Sequence, residues 1–482
     1  MTNESTLLAL HPDRLFSSDA AVIKVARELY ESVKDLPIIS PHGHTDPRWF
    51  NENENFGNAT ELFLKPDHYV FRMLYSQGVK LTDLGIPQHG EQGDLASSKA
   101  ADPTKAWQIF ADNYHLFAGT PSGYWLDSVF CDVFGFKEKL CSANAQHYYQ
   151  EITAQLATPA FKPHALMDRF NIEFIATTEG ALDDLKHHRA IKDTPMAKRV
   201  VTSFRPDDVV DASREDFIDN VKKLGEITGK DTNTWQGYLD AIKVRRAYFI
   251  TEGRATATDH GHPTALTADL SLAECESLFA KCLSGQSTED EQELFRGQLL
   301  TELAGMSIED GLVMQIHPGA HRNHNQPIFD VYGRDKGCDI PSQTEYVNAL
   351  KPLLSKYGNH PDLNIILFTL DETTYSRELA PLAGHYPSLK LGPAWWFHDS
   401  PAGMLRFRQQ TTETAGFYNT VGFNDDTRAF LSIPARHDVA RRVDCRYLAE
   451  LVTNHQIDLK TAHELAYQLT YGLVKKAYKL SQ

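Results

Sequence analysis

The chain has no apolar run of the ~18 residues that a membrane-spanning helix needs, and its mean hydropathy is −0.40. Its opening, MTNESTLLALHPDRLF, has no basic segment followed by an apolar one, so no secretory signal is read and a cytoplasmic location is expected. Basic residues are in deficit. With 48 Lys and Arg against 64 Asp and Glu, the formal charge is −16, and such a surface repels nucleic-acid backbones and anionic lipid heads. Nucleic acid and membrane are therefore excluded as first partners, whereas an arginine inside a pocket still attracts a small anion where net charge is screened. Cysteine is sparse and unpatterned. Cys131, Cys141, Cys275, Cys282, Cys338 and Cys445 form no C-x-x-C and no zinc-ribbon spacing, which suits inert thiols in a reducing compartment. No fixed-period repeat or low-complexity run is present, so a solenoid is excluded too.

What is present is ordinary globular composition, 41% hydrophobic and 23% charged over 482 residues, enough for about three domains or one large barrel with insertions. Eight strand-like segments, each ending in a polar or aromatic residue, alternate with amphipathic stretches such as TEYVNALKPLLSKYG. They are Ile38 to His44, Glu173 to Thr178, Val200 to Arg205, Ala255 to His260, Leu312 to His317, Asn364 to Asp371, Leu389 to Phe397 and Asn419 to Asp426. Eight alternations predict an α/β fold, a distorted (β/α)8 TIM-type barrel with its active site at the C-terminal strand ends. The expected organisation is an N-terminal helix and first strand over 1–49, a helical insertion capping the barrel mouth over 50–163, and the remaining barrel with C-terminal helices over 164–482.

Histidine, at 21 residues, is conspicuous, and its placement at predicted strand ends carries the functional reading. In His42-Gly43-His44, residues i and i+2 of a strand project to one side, so both imidazoles can reach one cation, with Gly43 leaving room for the turn. Asp426, ending the eighth strand and thus beside the first in a closed barrel, is the natural third ligand; two His and one Asp leave positions open for substrate. His260-Gly261-His262 after Asp259 has the same spacing across the barrel and reads either as a loop-stabilising cluster or as substrate contacts. Arg205 offers a planar two-pronged donor suited to a carboxylate or, with Pro206-Asp207, a helix-start ion pair. Tyr69 reads as a proton donor or as core, Trp395 and Trp396 as packing or as a face for a sugar ring, and His317 as substrate contact or structural histidine. Asp371 and Glu372 stay undecided, and His187 and His188 read as solvated.

A His-x-His ending strand one with an Asp ending strand eight resembles the amidohydrolase superfamily of metal-dependent barrels. Asp67-His68-Tyr69 with Arg72, Phe204-Arg205-Pro206-Asp207, Asp259-His260-Gly261, Trp395-Trp396-Phe397 and Asp426-Thr427-Arg428 narrow this. In that order, over essentially the full length, they resemble the uronate isomerase (glucuronate isomerase) family. The resemblance implies interconversion of D-glucuronate with D-fructuronate and of D-galacturonate with D-tagaturonate, with one divalent metal usually described as zinc. It implies metal ligands His42, His44 and Asp426, and it turns His68, Tyr69, Arg205 and Arg428 toward substrate. Where members of that family can show an arginine near the C-terminal end, Lys476 stands in this chain.

Aldose to ketose isomerisation moves a proton from C2 to C1 and needs a base, a shuttling group and support for an enediolate. Asp426 with Arg428 fits the base and its electrostatic partner, and Tyr69 the C1-side donor. Asp259, His260, His317, Trp395 and Trp396 complete the expected substrate contacts. A hydrolase of the same superfamily, acting on a lactone or amide, would use the same three ligands but leave Tyr69, Arg205 and Arg428 unexplained. The acidic surface fits a soluble homo-oligomer.

Overall fold

The computed structural model describes residues 6–88 and 102–480. Seven parallel strands pair in chain order: β1 (Ile38–Ser40), β2 (Ile172–Gly180), β3 (Val200–Arg205), β4 (Ala257–His260), β5 (Val313–Ile316), β6 (Ile365–Leu367) and β7 (Leu389–Leu391). Branched and aromatic residues dominate most of them, as expected for strands covered on both faces. The period of two is explicit. Ile39, Phe174, Ala176, Val201, Ala257, Val313 and Ile366 meet inside the curl of the sheet. Their neighbours Met314, Ile316, Ile365 and Leu367 face the outer helices.

The eighth predicted strand is the departure. Within Asn419 to Asp426 only Thr420 forms a bridge, to Leu391, because Gly422 (φ +78°) and Asp426 (φ +38°) leave the extended region. The segment still spans the gap: the Val421 N–H donates to the Leu391 carbonyl (3.1 Å) and the His44 N–H to the Thr427 carbonyl (3.1 Å). The curled sheet is thus brought back to its first strand without an eighth ladder.

Between β1 and β2 the described residues are mainly helical, and Trp107, Phe110, Phe130 and Tyr148 form a core that runs into Ile38, Ile172 and Ile175 on the outer sheet face. One helix there matters to the site. His68–Ser76 begins where the Asp67 carboxylate accepts the Tyr69 N–H at 2.9 Å, an N-cap that fixes His68 and Tyr69 in the first turn. At the opposite end of the barrel, the short helix Leu473–Ala477 and the following residue send Val474, Ala477 and Tyr478 into the interior, where the Tyr478 hydroxyl donates to Gln315 Oε1 at 2.8 Å. Lys476 on that helix is exposed and outside the cavity described below.

His188 is not solvated. It is buried, with Nε2 2.9 Å from the Thr177 hydroxyl on the outer face of β2. Among the described residues no helix is long and apolar enough to cross a membrane, and all six cysteines are free.

Candidate active site

A cavity of about 420 Å³ opens at the C-terminal strand ends. Its floor holds His42, His44 and Asp426. The Nε2 atoms of His42 and His44 lie 3.3 and 3.2 Å from the same oxygen, Asp426 Oδ1, and a ligand atom from each of the three residues falls within 4.8 Å of the others. Donor atoms each about 2.0–2.1 Å from one tetrahedral ion would stand roughly 3.3 Å apart, so the spacing fits a shared cation. Asp426 Oδ1 is buried without a hydrogen-bond partner, while Oδ2 accepts the Trp395 indole N–H. Burial works against the Asp426 charge, but His42 and His44 outweigh it and hold the carboxyl well below its usual range. The left-handed backbone at Asp426 turns this carboxylate in from a segment that has left the extended conformation.

Gly43 is not sterically required. A Cβ there would meet only ordinary contacts, 3.5 Å from the Thr427 carbonyl at the nearest.

Behind the floor lies a second ionic group. Asp259 is fully buried, 2.6 Å from His317 Nε2, 3.3 Å from Arg205 Nη1 and 3.9 Å from His42 Nδ1. Burial raises the cost of its charge, and His317, His42 and Arg205 together keep it well below the ordinary range. Arg205 also donates Nε–H to Asp207 at 2.8 Å, so two of its three nitrogens are already engaged. Burial opposes the Asp207 charge, yet Arg205 draws that carboxyl down to about 2.

The second His-Gly-His divides. His260 does not line the cavity: it is the last residue of β4, pairs with Ile316 of β5, and bonds through Nε2 to the Thr258 hydroxyl at 2.8 Å. His262 does line the cavity, buried, with neither ring nitrogen partnered. At Gly261, by contrast, a Cβ would sit 2.3 Å from Arg205 Nη2 and 2.9 Å from Asp207 Oδ2, so any side chain there must push this ion pair aside.

On the roof, His68 stacks on Tyr69 (5.1 Å, 20°) and stands edge-on to Trp396 (5.8 Å). Burial, aided by Arg428, lowers the His68 imidazole to about 3, so it is neutral. The Tyr69 hydroxyl accepts the Phe397 N–H at 2.9 Å, and burial keeps the phenol protonated. Trp395 and Trp396 both line the cavity. Asp371 caps the turn that follows it, and Glu372 pairs with Arg406; neither lines the cavity. Arg322, Asp339 and Asp335 also line it and gave no sequence signal. Arg322 pairs with Asp339 at 2.6 Å and is set over Trp396, and Asp335 lies 3.8 Å from Arg428.

The family model for glucuronate isomerase matches residues 16–478. The chain belongs to the glucuronate isomerase family. It is 61% identical over 475 residues to a uronate isomerase of Phenylobacterium zucineum (strain HLK1), covering 98% of each chain. A solved glucuronate isomerase from Caulobacter crescentus superposes with a TM-score of 0.95 at 60% identity, covering 99% of this chain and 98% of that one. A uronate isomerase from Thermotoga maritima superposes at 0.89 with 27% identity, covering 98% and 99%. For this glucuronate isomerase family member, the donor set of two imidazoles and one carboxylate, with an orphaned buried oxygen at its centre, fits a divalent ion.

Proposed function

We propose that the chain is an aldose-ketose isomerase interconverting D-glucuronate with D-fructuronate, and D-galacturonate with D-tagaturonate. The observation that carries this is the meeting of His42, His44 and Asp426 on the floor of a cavity that arginines ring, in a chain matched along its length to that family. Membership of that family displaces the hydrolase alternative. Bound between His42, His44 and Asp426, one divalent ion, zinc in the family's usual description, would supply Lewis-acid polarisation of the sugar oxygens.

The chain's own groups do the rest. Asp426 accepts the C2 proton; a carboxylate held so firmly ionised is a weak base, so transfer depends on stabilising the enediolate that forms. Arg428, two residues on and facing the cavity, places positive charge beside it. Tyr69, kept as a neutral phenol, donates its proton to O1 as the enediol forms and takes one back from O2 as Asp426 returns the proton to C1. Neutral His68, whose Nε2 is buried and unpartnered, binds a sugar hydroxyl rather than adding charge. His262 does the same from the opposite wall. Arg205 is committed to Asp207 and Asp259 and offers the sugar carboxylate one remaining nitrogen, so carboxylate recognition is shared with Arg428.

The test is product analysis by NMR in deuterated water with metal-free and metal-reconstituted protein. Fructuronate carrying deuterium at C1 is expected only with metal. Turnover of a lactone with no keto sugar acid would overturn the reading.

A further inference from the structure

Asp335 has no part in the proposed chemistry, yet its carboxylate lies in the cavity. It sits in Gly333-Arg334-Asp335-Lys336-Gly337, between the helix Gln326–Tyr332 and the short strand Ile340–Pro341. The backbone is left-handed at Gly333 (φ +76°), Asp335 (φ +61°) and Gly337 (φ +70°), a conformation in which aspartate is one of the few tolerated side chains. Gly337 anchors the loop, since a Cβ there would lie 2.9 Å from Arg72 Cβ and 3.1 Å from the His68 carbonyl. The loop therefore packs closely against the helix that carries His68 and Tyr69.

The surroundings of the carboxylate are unusual. It accepts no hydrogen bond among the described residues; its one ion pair is the loose 3.8 Å contact with Arg428 Nη2, and Asp335 and Arg428 are 60% and 40% exposed. Arg322 and Arg205 add to the positive field around it and, with Arg428, outweigh burial to hold it ionised. A structural ion pair would be closer and hydrogen-bonded, as Arg322 with Asp339 and Arg205 with Asp207 are, at 2.6 and 2.8 Å.

We propose that Asp335 is a built-in counter-anion, which holds Arg428 and its neighbouring arginines loosely until the carboxylate of the sugar acid replaces it. This rests on the isomerase reading. The physical reason lies in that reaction: aldose and ketose carry the same carboxylate, so tight binding of it is uniform along the reaction path and only slows release. A resident carboxylate weakens that uniform binding and makes a second negative charge on the ligand unwelcome. Asp335 thereby selects a monoanionic sugar acid against dicarboxylate sugars of the same length.

The experiment compares the metal-loaded wild type with Asp335→Asn, which tolerates the left-handed backbone, and with Asp335→Gly as a second variant free of backbone strain. Calorimetry with D-glucarate and with inorganic sulfate should show tighter binding in both variants, by about tenfold for loss of one nearby charge. The KM for D-glucuronate should fall while kcat does not rise, and the uncharged methyl ester of glucuronate should gain nothing. Weaker glucarate binding with a raised KM would make Asp335 a hydroxyl ligand and overturn the proposal, as would unchanged binding or an equal gain for the ester. The anion titrations need no turnover, so a failure to isomerise glucuronate would sink the isomerase reading separately.

Discussion

The same tripeptide, His-Gly-His, stands just past the end of β1 and at the end of β4, and has opposite fates. In the first copy both imidazoles converge on Asp426 Oδ1; in the second, His260 turns outward to Thr258 and only His262 reaches the cavity. Ring orientation does not separate them, since the two rings are 84° apart in each copy. The difference is where the ladder stops. β1 ends at Ser40, so His42 and His44 lie on backbone free to turn inward. β4 continues through His260, whose neighbour Asp259 points inward and which must itself point to the outer helices beside Ile316. The lesson is that i and i+2 share a face only while both residues stay in the ladder, so the point where the ladder stops decides which histidines can turn inward.

The largest expected effect breaks the first copy. His42→Asn should lose bound metal, measured by elemental analysis, and lower kcat on the order of a thousandfold for several kcal/mol of lost polarisation. His260→Gln should keep its metal and stay within a few-fold of wild-type activity. Retained metal and activity in His42→Asn would remove the floor from the mechanism.

The glycines sharpen the contrast. An alanine methyl at 261 displaces Arg205, so Gly261→Ala should cost about a hundredfold in kcat/KM, the scale of a 1 Å misplacement. Gly43→Ala meets only ordinary contacts and should stay within about twofold. Steady-state kinetics on the pair decide it; equal losses would mean that the first turn is tighter than its contacts indicate. Next in size is His262→Phe, which removes two cavity donors or acceptors of a hydroxyl and should raise KM about tenfold with kcat less affected.

Much of this was legible in the sequence because it rests on periodicity and on polar residues at strand ends. Seven strands fall where the apolar runs place them, and His42, His44 and Asp426 meet although 382 positions separate the last two. The eighth strand was not legible. Pairing beyond Thr420 is broken by the left-handed backbone at Gly422, which only the tertiary packing against Val474 and Leu469 explains. His260 was misread because one residue of register reverses its side, and a sequence does not state register. For Arg205 the sequence offers both a fork for a carboxylate and an ion pair with Asp207; the structure shows that pair, and Asp259, which the sequence does not place there, engages a second nitrogen. Asp335 carried no motif; its only trace is the pair of glycines that bracket a left-handed turn.

The smallest effect on catalysis belongs to pH and the outward histidine. Burial, with His262 and Arg246 adding to it, pushes the folded His260 imidazole down to about 3, and the nearby Asp207 and Asp259 do not restore it. Unfolded, the same group titrates near ~6.5, so between these values the unfolded chain binds the extra proton. The stability that neutral His260 contributes is therefore complete above about pH 6.5 and is lost as pH falls toward about 3, on the order of 2 kcal/mol by pH 5. His260→Gln keeps an amide able to meet Thr258 but cannot titrate, so its thermal midpoint should fall less steeply than the wild type's between pH 6.5 and 5. Parallel slopes would mean that His260 is protonated in the fold as readily as out of it, and that the second His-Gly-His is wetter than its burial implies.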